Sequence, residues 1–128
     1  MSREVVSTTG APAAIGPYSQ AIKANGFVFV SGCLGVDPTT SKMVDGGVDA
    51  QARQVLTNLK NIVEASGSSM DKVCKTTVLL ADMSSFPVIN AIYAEYFPSS
   101  PPARATFAVA GLPLGALVEI ECVALSVA

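Results

Sequence analysis

The chain has 128 residues, of which 50% are apolar and only 14% are charged, against the ~25% charged residues that are typical of globular proteins. This length fits a single domain over residues 1–128, and so few charges predict that part of its surface is covered in a homo-oligomer, the alternative being an apolar monomer. The net charge is −2 and the eight Lys and Arg residues are scattered, so nucleic acid is not expected as the main partner.

Other absences narrow the chemistry further. The start of the chain has no apolar run of signal-peptide length, and the longest uncharged apolar stretch, 107–118, is too short to span a bilayer. Three widely spaced cysteines indicate a reducing compartment, expected to be the cytosol, with an organellar copy left open. Because the chain contains no histidine, Ser-His-Asp catalysis, Cys-His catalysis and most zinc sites are excluded.

The first half of the chain predicts a hairpin followed by a helix. After an irregular segment, 1–16, an Asn-Gly pair separates two strand-like runs, Ser19–Lys23 and Phe27–Ser31, and this is the strongest short hairpin signal. Residues 32–47 are predicted to form a loop. Apolar residues at helical spacing then predict a helix from about Val48 to Ser66, with Gly67 as its C-terminal cap.

The second half alternates strand and helix before two final strands. A β-branched strand from Val73 precedes a second helix, which Ser84 or Ser85 can cap and which Pro98 ends. The last two strands, about Arg104–Ala110 and Leu117–Val127, are joined by the segment GLPLGA. The order β-β-α-β-α-β-β predicts an α+β fold with a mixed sheet and both helices on one face. A second subunit would then cover the other face.

Arg104, in the segment PPARATF, is the only Lys or Arg from residue 76 to the C-terminus, and it lies in an apolar strand. If Ala110 pairs with Leu117, side-chain alternation places Arg104, Thr106, Glu119 and Glu121 on one face of the sheet. Two interpretations remain open. Arg104 either forms a structural ion pair with a glutamate, or faces a cleft and binds a ligand carboxylate, with a spare glutamate to activate water.

Other candidate residues also have ordinary structural interpretations. Tyr18 follows a Gly-Pro turn that could hold its hydroxyl over a site, or it is simply packed. Ser31 ends an apolar strand before a glycine, which suits close approach of a ligand but is common in strands. Asn90 lies in the second helix, where it either makes a specific hydrogen bond or is exposed. The cysteines, Cys33, Cys74 and Cys122, are expected to be small core residues rather than nucleophiles, because no base is available to activate them.

Taken together, several segments resemble the Rid family (RidA/YjgF, reactive intermediate deaminases) over about residues 10–125. They are GPYSQA, SGCLGVDP, NLKNIVEASG, VCKTTVLLADMSSF, VINAIYAEYF, PPARATF and LPLGALVEIE. The resemblance implies a chorismate-mutase-like homotrimer with a central barrel and active sites in the clefts between subunits. It also implies hydrolysis of 2-imino acids or their enamine tautomers, such as 2-iminobutanoate and 2-iminopropanoate, to 2-oxo acids and ammonia, without a cofactor or a metal. This activity protects pyridoxal-phosphate enzymes.

The resemblance also assigns roles to residues of this chain. Arg104 would bind the substrate carboxylate, Glu119 would orient water, and Tyr18, Ser31 and Asn90 would line the site with them. Many bacterial members have a cysteine where this chain has Thr106, so a thiol role at that position is untenable, and a different range of imine side chains is expected to fit. Cys33 stands where glutamine is frequent. Two other functions are compatible with the resemblance: a ligand-binding or chaperone-like oligomer without catalysis, and an endoribonuclease or translation inhibitor. The lack of histidine and of a basic patch argues against the second.

Overall fold

A six-stranded mixed sheet with two helices on one face forms the fold, and the computed structural model describes residues 2–126. The strand order is β1-β2-β3-β8-β6-β7, and a separate two-stranded hairpin pairs β4 with β5. The strands are β1 Glu4–Val6, β2 Ala21–Ala24, β3 Phe27–Cys33, β4 Val36–Asp37, β5 Lys42–Met43, β6 Val73–Leu80, β7 Ala103–Ala108 and β8 Val118–Leu125, and the helices are α1 Gly47–Ala65 and α2 Phe86–Tyr96. No helix within residues 2–126 is long and apolar enough to cross a membrane.

The α+β class and the β-β-α-β-α-β-β order of the main elements are confirmed. Three short strands were missed: β1, in the segment predicted to be irregular, and β4 and β5, in the segment predicted to be a loop. Each has only two or three residues, too few for an alternating pattern to be visible in the sequence.

Local turn chemistry follows the sequence closely. Asn25 and Gly26 both have positive φ, 53° and 84°, in a two-residue turn that joins Ala24 to Phe27. Helix α1 ends in a Schellman motif, in which Gly67 has φ 83° and donates its N–H to the Glu64 carbonyl. Only the cap of α2 differs from the prediction. Ser85 makes no capping hydrogen bond, and the Asp82 carboxylate instead accepts from the Ser84 N–H at 2.8 Å in the turn that precedes α2.

The pairing predicted for the last two strands is wrong. Strand β7 does not form a hairpin with β8; it pairs in parallel with β6, with Arg104 opposite Thr76. Strand β8 lies between β3 and β6 and is antiparallel to both. Helix α2, which connects β6 to β7, makes this a parallel crossover connection. The predicted end of the last strand at Val127 lies outside the described residues.

The two faces of the sheet are very different. On the helix face, residues such as Val78, Val118 and Ile120 are at most 1% exposed beneath α1 and α2. The other face, called here the open face, carries large apolar side chains that nothing in residues 2–126 covers. Phe27, Phe29, Phe107 and Leu125 are each between 37% and 48% exposed on this face.

Candidate active site

Arg104 lies at the edge of the helix face, against α2. Its Nη1 donates a hydrogen bond to the Asn90 Oδ1 at 2.9 Å. The guanidinium carbon is 4.8 Å from the ring centre of Tyr93 and 5.3 Å from that of Phe86, so it makes cation–π contacts with both rings. We call these four residues, Arg104, Asn90, Tyr93 and Phe86, the arginine cluster.

The cluster contains a cation but no anion. Among residues 2–126, Arg104 has no carboxylate within ion-pair distance, and the ion pair found there joins Arg53 to Glu95 at 3.0 Å. The alternative of a structural Arg104–glutamate pair within the chain is therefore wrong. An exposed guanidinium that is held by an amide and two aromatic rings keeps donors free for an outside carboxylate or phosphate.

Thr106 shares the side of β7 on which Arg104 lies, two residues further along the strand. It pairs in register with the buried Val78 of β6. Its hydroxyl oxygen is buried and has no hydrogen-bond partner among the described residues. Buried hydroxyls normally have a partner, so the unpaired Thr106 hydroxyl is an exception among the described residues.

Glu119 belongs to a second group of residues at the opposite face. The residues on either side of it, Val118 and Ile120, face the helices, so Glu119 projects to the open face. Its carboxylate lies directly against Gly32, where an added Cβ would be 2.8 Å from the carboxylate carbon. Strand β3 has a bulge between Val30 and Cys33, and this bulge brings the glycine backbone to the carboxylate.

Ser31 adjoins Gly32 and is hydrogen-bonded to the loop that carries Tyr18. The Ser31 hydroxyl donates to the Ser19 carbonyl at 2.6 Å, and its backbone N–H donates to the Gln20 carbonyl at 3.0 Å. Tyr18 is half-exposed, and its hydroxyl accepts from the Ile15 N–H at 3.4 Å. We call Ser31, Gly32 and Glu119 the glutamate cluster; Tyr18 lies on the adjoining loop, next to the Ser19 carbonyl that accepts from Ser31.

The loop that carries Tyr18 is held by a buried amide. Gln20 is 5% exposed; its Oε1 accepts from the Thr8 N–H at 2.7 Å and its Nε2 donates to the Pro12 carbonyl at 2.8 Å. Asn61 of α1 donates to the Gly10 carbonyl at 2.7 Å. These bonds fix the segment before Tyr18, so the tyrosine extends from an anchored loop.

The environment of Glu119 favours its neutral form. Burial raises the pKa of this carboxyl, and the nearby charge of Glu121 raises it further. When ionised, a carboxylate with a raised pKa accepts a proton more readily than an ordinary glutamate does. The arrangement can thus supply a general base beside an exposed strip of backbone at Gly32.

The predicted placement of Arg104 and Glu119 on one face is wrong. In the parallel pairing of β6 with β7, Arg104 shares a register position with Thr76 and Cys122, which face the helices. Glu119 and Glu121 occupy the alternate positions on β8 and face the other way. One chain therefore brings Arg104 together with Asn90, and Glu119 together with Gly32 next to Ser31, but it does not bring the two clusters together.

The cysteines divide into two kinds. Cys33 and Cys122 are buried, as predicted, and burial is the main cause that raises the pKa of each thiol, to about 12 for Cys122. Cys74 is exposed, so the prediction of a core residue is wrong there. It lies where β6 has a register shift between Val73 and Lys75, which interrupts the alternation of buried and exposed positions.

Within residues 2–126, no group of three or more acidic, thiol or imidazole side chains could hold a metal ion.

Sequence reasoning missed Phe86, Tyr93 and Gly32 as members of these clusters. A signal for the first two was present, because Phe86, Asn90 and Tyr93 lie four and three residues apart and so share one helix face. For Gly32 the signal was its position after Ser31 at a strand end, which was interpreted only as room for a ligand. Its contact with Glu119 depends on the bulge and on the pairing of β3 with β8.

The fold and the two clusters define a histidine-free α+β protein with an arginine that has no carboxylate partner among residues 2–126 and a separate, partly buried glutamate. Residues 8–126 match the sequence profile of the family described as Endoribonuclease L-PSP. The chain belongs to this family, which is the Rid (RidA/YjgF) family.

Curated relatives and solved structures agree with this assignment. "Reactive Intermediate Deaminase A, chloroplastic" of Arabidopsis thaliana is 56% identical over 97% of the chain and 66% of its own length. The "2-iminobutanoate/2-iminopropanoate deaminase" of Mus musculus is 52% identical over 95% of the chain and 90% of its own length.

Among solved structures, a putative endoribonuclease L-PSP from Entamoeba histolytica has a TM-score of 0.95 at 53% identity, covering 97% of this chain and 99% of its own. E. coli TdcF with bound serine has a TM-score of 0.92 at 37% identity, covering 97% of this chain and 99% of its own.

Proposed function

We propose that this protein hydrolyses reactive 2-imino acids, and their enamine tautomers, to 2-oxo acids and ammonia without a cofactor. The observation that carries the proposal is the state of Arg104, which is aligned by Asn90 and two aromatic rings yet has no carboxylate partner among residues 2–126. A 2-imino acid offers such a carboxylate next to the reacting carbon. Relatives named 2-iminobutanoate/2-iminopropanoate deaminase, and a relative with bound serine, support a small amino-acid-like ligand.

The active site is assembled between two copies of the chain. Because Arg104 and Glu119 lie on opposite faces of one sheet, the arginine cluster of one subunit must meet the glutamate cluster of a neighbour to act on one small molecule. The apolar open face supplies a reason for copies to associate, since burial of Phe27, Phe29 and Phe107 removes apolar surface from water. We infer a homotrimer, as the family resemblance implies.

In the proposed mechanism, Arg104 binds the substrate carboxylate bidentately and thereby fixes C2 beside the neighbouring subunit's glutamate cluster. Glu119 accepts a proton from a water molecule as the water oxygen adds to C2. The C=N π electrons move to the nitrogen, which takes up the proton that Glu119 accepted. In the resulting tetrahedral amino-alcohol, Glu119 transfers the hydroxyl proton to the amino nitrogen as the C–N bond breaks, so the nitrogen leaves as ammonia and the hydroxyl oxygen becomes the carbonyl oxygen of the 2-oxo acid.

Positioning and one general base suffice for this reaction, because imines already hydrolyse in water. Ser31, Tyr18 and Thr106 are proposed to contact the substrate. Thr106 lies two residues from Arg104 on the same side of β7, next to the group that binds the carboxylate.

The decisive test generates 2-iminobutanoate in situ from threonine with a dehydratase and traps the surviving imine with semicarbazide. Wild-type protein is expected to reduce trapping, whereas Arg104→Ala is expected to leave it unchanged. Arg53→Ala is the matched control, since Arg53 is an exposed arginine already paired with Glu95, and it should behave as wild type. Unchanged trapping with folded, oligomeric wild type, across small and large imines, would refute the proposal.

The pH dependence of the reaction follows from Glu119. Activity needs its ionised form, so the rate should fall as the pH drops through a pKa that burial and Glu121 have raised. The acid limb is therefore expected above the ordinary glutamate value of about 4.3. Glu121→Gln removes one of the two causes of the raised pKa of Glu119 and should therefore move the acid limb to lower pH. Glu95→Gln, at a carboxylate whose partner is Arg53, should leave the limb in place.

Two other functions have weaker support. A binding or chaperone-like oligomer would need the arginine cluster but not a base, and retention of ligand affinity with no turnover would favour it. The family description also names an endoribonuclease, but a chain without histidine and with scattered Lys and Arg residues has neither the usual acid–base groups nor a phosphate-binding surface. Nuclease activity that survives in Arg104→Ala would point to a contaminant.

A further inference from the structure

Tyr93 connects the buried core to the arginine cluster. Its hydroxyl forms a hydrogen bond with the Thr76 Oγ1 at 2.7 Å, and Thr76 has no exposed surface. Its ring also packs against Phe97, with 4.6 Å between ring centres and 40° between planes. The outer side of the same ring lies 4.8 Å from the guanidinium carbon of Arg104.

We propose that Tyr93, locked by Thr76, is a positioning residue that fixes the plane of the Arg104 guanidinium for its carboxylate ligand. Phe86 supplies the second ring and Asn90 holds Nη1, so three contacts define the orientation of the group. The inference deepens the proposed function and rests on it, because it concerns the same carboxylate-binding arginine. It assigns roles to Thr76 and Tyr93, which do not themselves need to touch the substrate.

The physical reason is the freedom of an exposed arginine. An arginine side chain has about 2 kcal/mol of rotamer entropy, which is lost when it binds a ligand unless the side chain is already ordered. No carboxylate in residues 2–126 orders Arg104 before substrate arrives. A ring whose tilt is fixed by a buried hydrogen bond can do so, because cation–π attraction and planar stacking both depend on ring orientation.

Tyr93 suits this role because it stays neutral. Burial raises the pKa of its phenol and outweighs the opposite effects of Thr76 and Arg104. A tyrosinate beside Arg104 would compete with the substrate carboxylate, whereas the neutral ring attracts the guanidinium and leaves its remaining donors free.

A double-mutant cycle separates positioning from stability. Tyr93→Phe and Thr76→Val each leave one buried hydroxyl without its partner and should destabilise the fold, whereas the double variant removes both hydroxyls and should recover most of the stability. If the hydrogen bond positions Arg104, the double variant should still have a KM about three- to tenfold above wild type, with kcat changed less than about twofold. Recovery of the wild-type KM together with stability would overturn the proposal.

Tyr96→Phe is the matched control. Tyr96 lies on the same helix and hydrogen-bonds a threonine hydroxyl, that of Thr57, at 3.0 Å, but it is not part of the arginine cluster. Its loss should change stability without changing KM. A KM raised as much by Tyr96→Phe as by Tyr93→Phe would mean that loosening α2, rather than the ring under Arg104, is the cause.

A readout without turnover distinguishes failure of this inference from failure of the proposed function. The Nε–H signal of Arg104 in NMR spectra should report restricted rotation in the ligand-free wild type and faster rotation in Tyr93→Phe. Affinity for 2-oxobutanoate, measured by calorimetry, should fall with the same variant. If wild type does not hydrolyse imines but the Arg104 side chain rotates faster in Tyr93→Phe, the proposed function fails and the positioning role stands. If the NMR signal is the same in both proteins, the positioning role fails.

Discussion

An equimolar mixture of Arg104→Ala and Glu119→Gln subunits is expected to regain about a quarter of the wild-type activity, although neither variant is active alone. In the proposed mechanism each substitution removes one of the two reacting groups from every site, and we expect each to lower kcat/KM by at least about a hundredfold. When subunits mix at random, about one site in four receives Arg104 from one variant and Glu119 from the other.

The measurement requires oligomers that have exchanged subunits. The two variants are unfolded together, refolded, and compared by their initial rates of imine hydrolysis with each variant refolded separately. A mixture that remains inactive after subunit exchange would mean that both groups of a site come from one chain, in contradiction of their placement on opposite faces of the sheet.

A second mixture provides the control. A chain that carries both substitutions is mixed with an equal amount of wild type, which leaves about a quarter of the sites intact if the groups come from different subunits and about half if they come from one. The two mixtures together therefore test the assembly even when the residual activity of a single variant is not negligible.

Elements whose cause is local were predictable from the sequence. The Asn-Gly turn requires positive φ at two successive residues, and both residues tolerate it, so the β2–β3 hairpin could be assigned from a few letters. The apolar spacing of α1 and its glycine cap likewise act within about a turn of the helix. No distant residue needs to be known to place these elements.

The pairing partner of β7 could not be found in this way. The segment between β7 and β8 is short enough for a hairpin, and both strands alternate suitably, so the sequence alone favours an antiparallel pair. The crossover through α2 instead places β7 beside β6, and the position next to β6 on its other side is taken by β8. This choice depends on packing α2 over the helix face, which is a non-local property.

The same distinction explains which site residues could be grouped. Asn90 and Arg104 are predicted from the family resemblance and lie together, 2.9 Å apart, because β7 follows α2 directly. The prediction that Arg104 and Glu119 lie on one face of the sheet was wrong because it depended on which strand pairs with β7. The hydrogen bond between Thr76 and Tyr93 could not be predicted, because a threonine in a buried strand has no sequence feature that indicates its partner.

Gly32→Ala is expected to lower kcat about a hundredfold while leaving the fold intact. An added Cβ would lie 2.8 Å from the carboxylate carbon of Glu119, closer than real Cβ atoms pack, and 3.2 Å from its Cγ. Because the obstacle is the end of a flexible side chain rather than backbone, Glu119 can move aside at little cost in the free energy of unfolding. A general base displaced by about 1 Å from its water loses most of its effect.

Gly111→Ala is the matched control, because an added Cβ there meets no heavy atom within 4 Å and the backbone φ is not positive. It should retain both stability and kcat. Combining Gly32→Ala with Glu119→Gln should cost little more than Glu119→Gln alone, since the methyl group then displaces a side chain that no longer acts as a base. A further large loss in the double variant would instead mean that the Gly32 backbone contacts the substrate directly, and an unchanged kcat in Gly32→Ala alone would remove Glu119 from the mechanism as the positioned base.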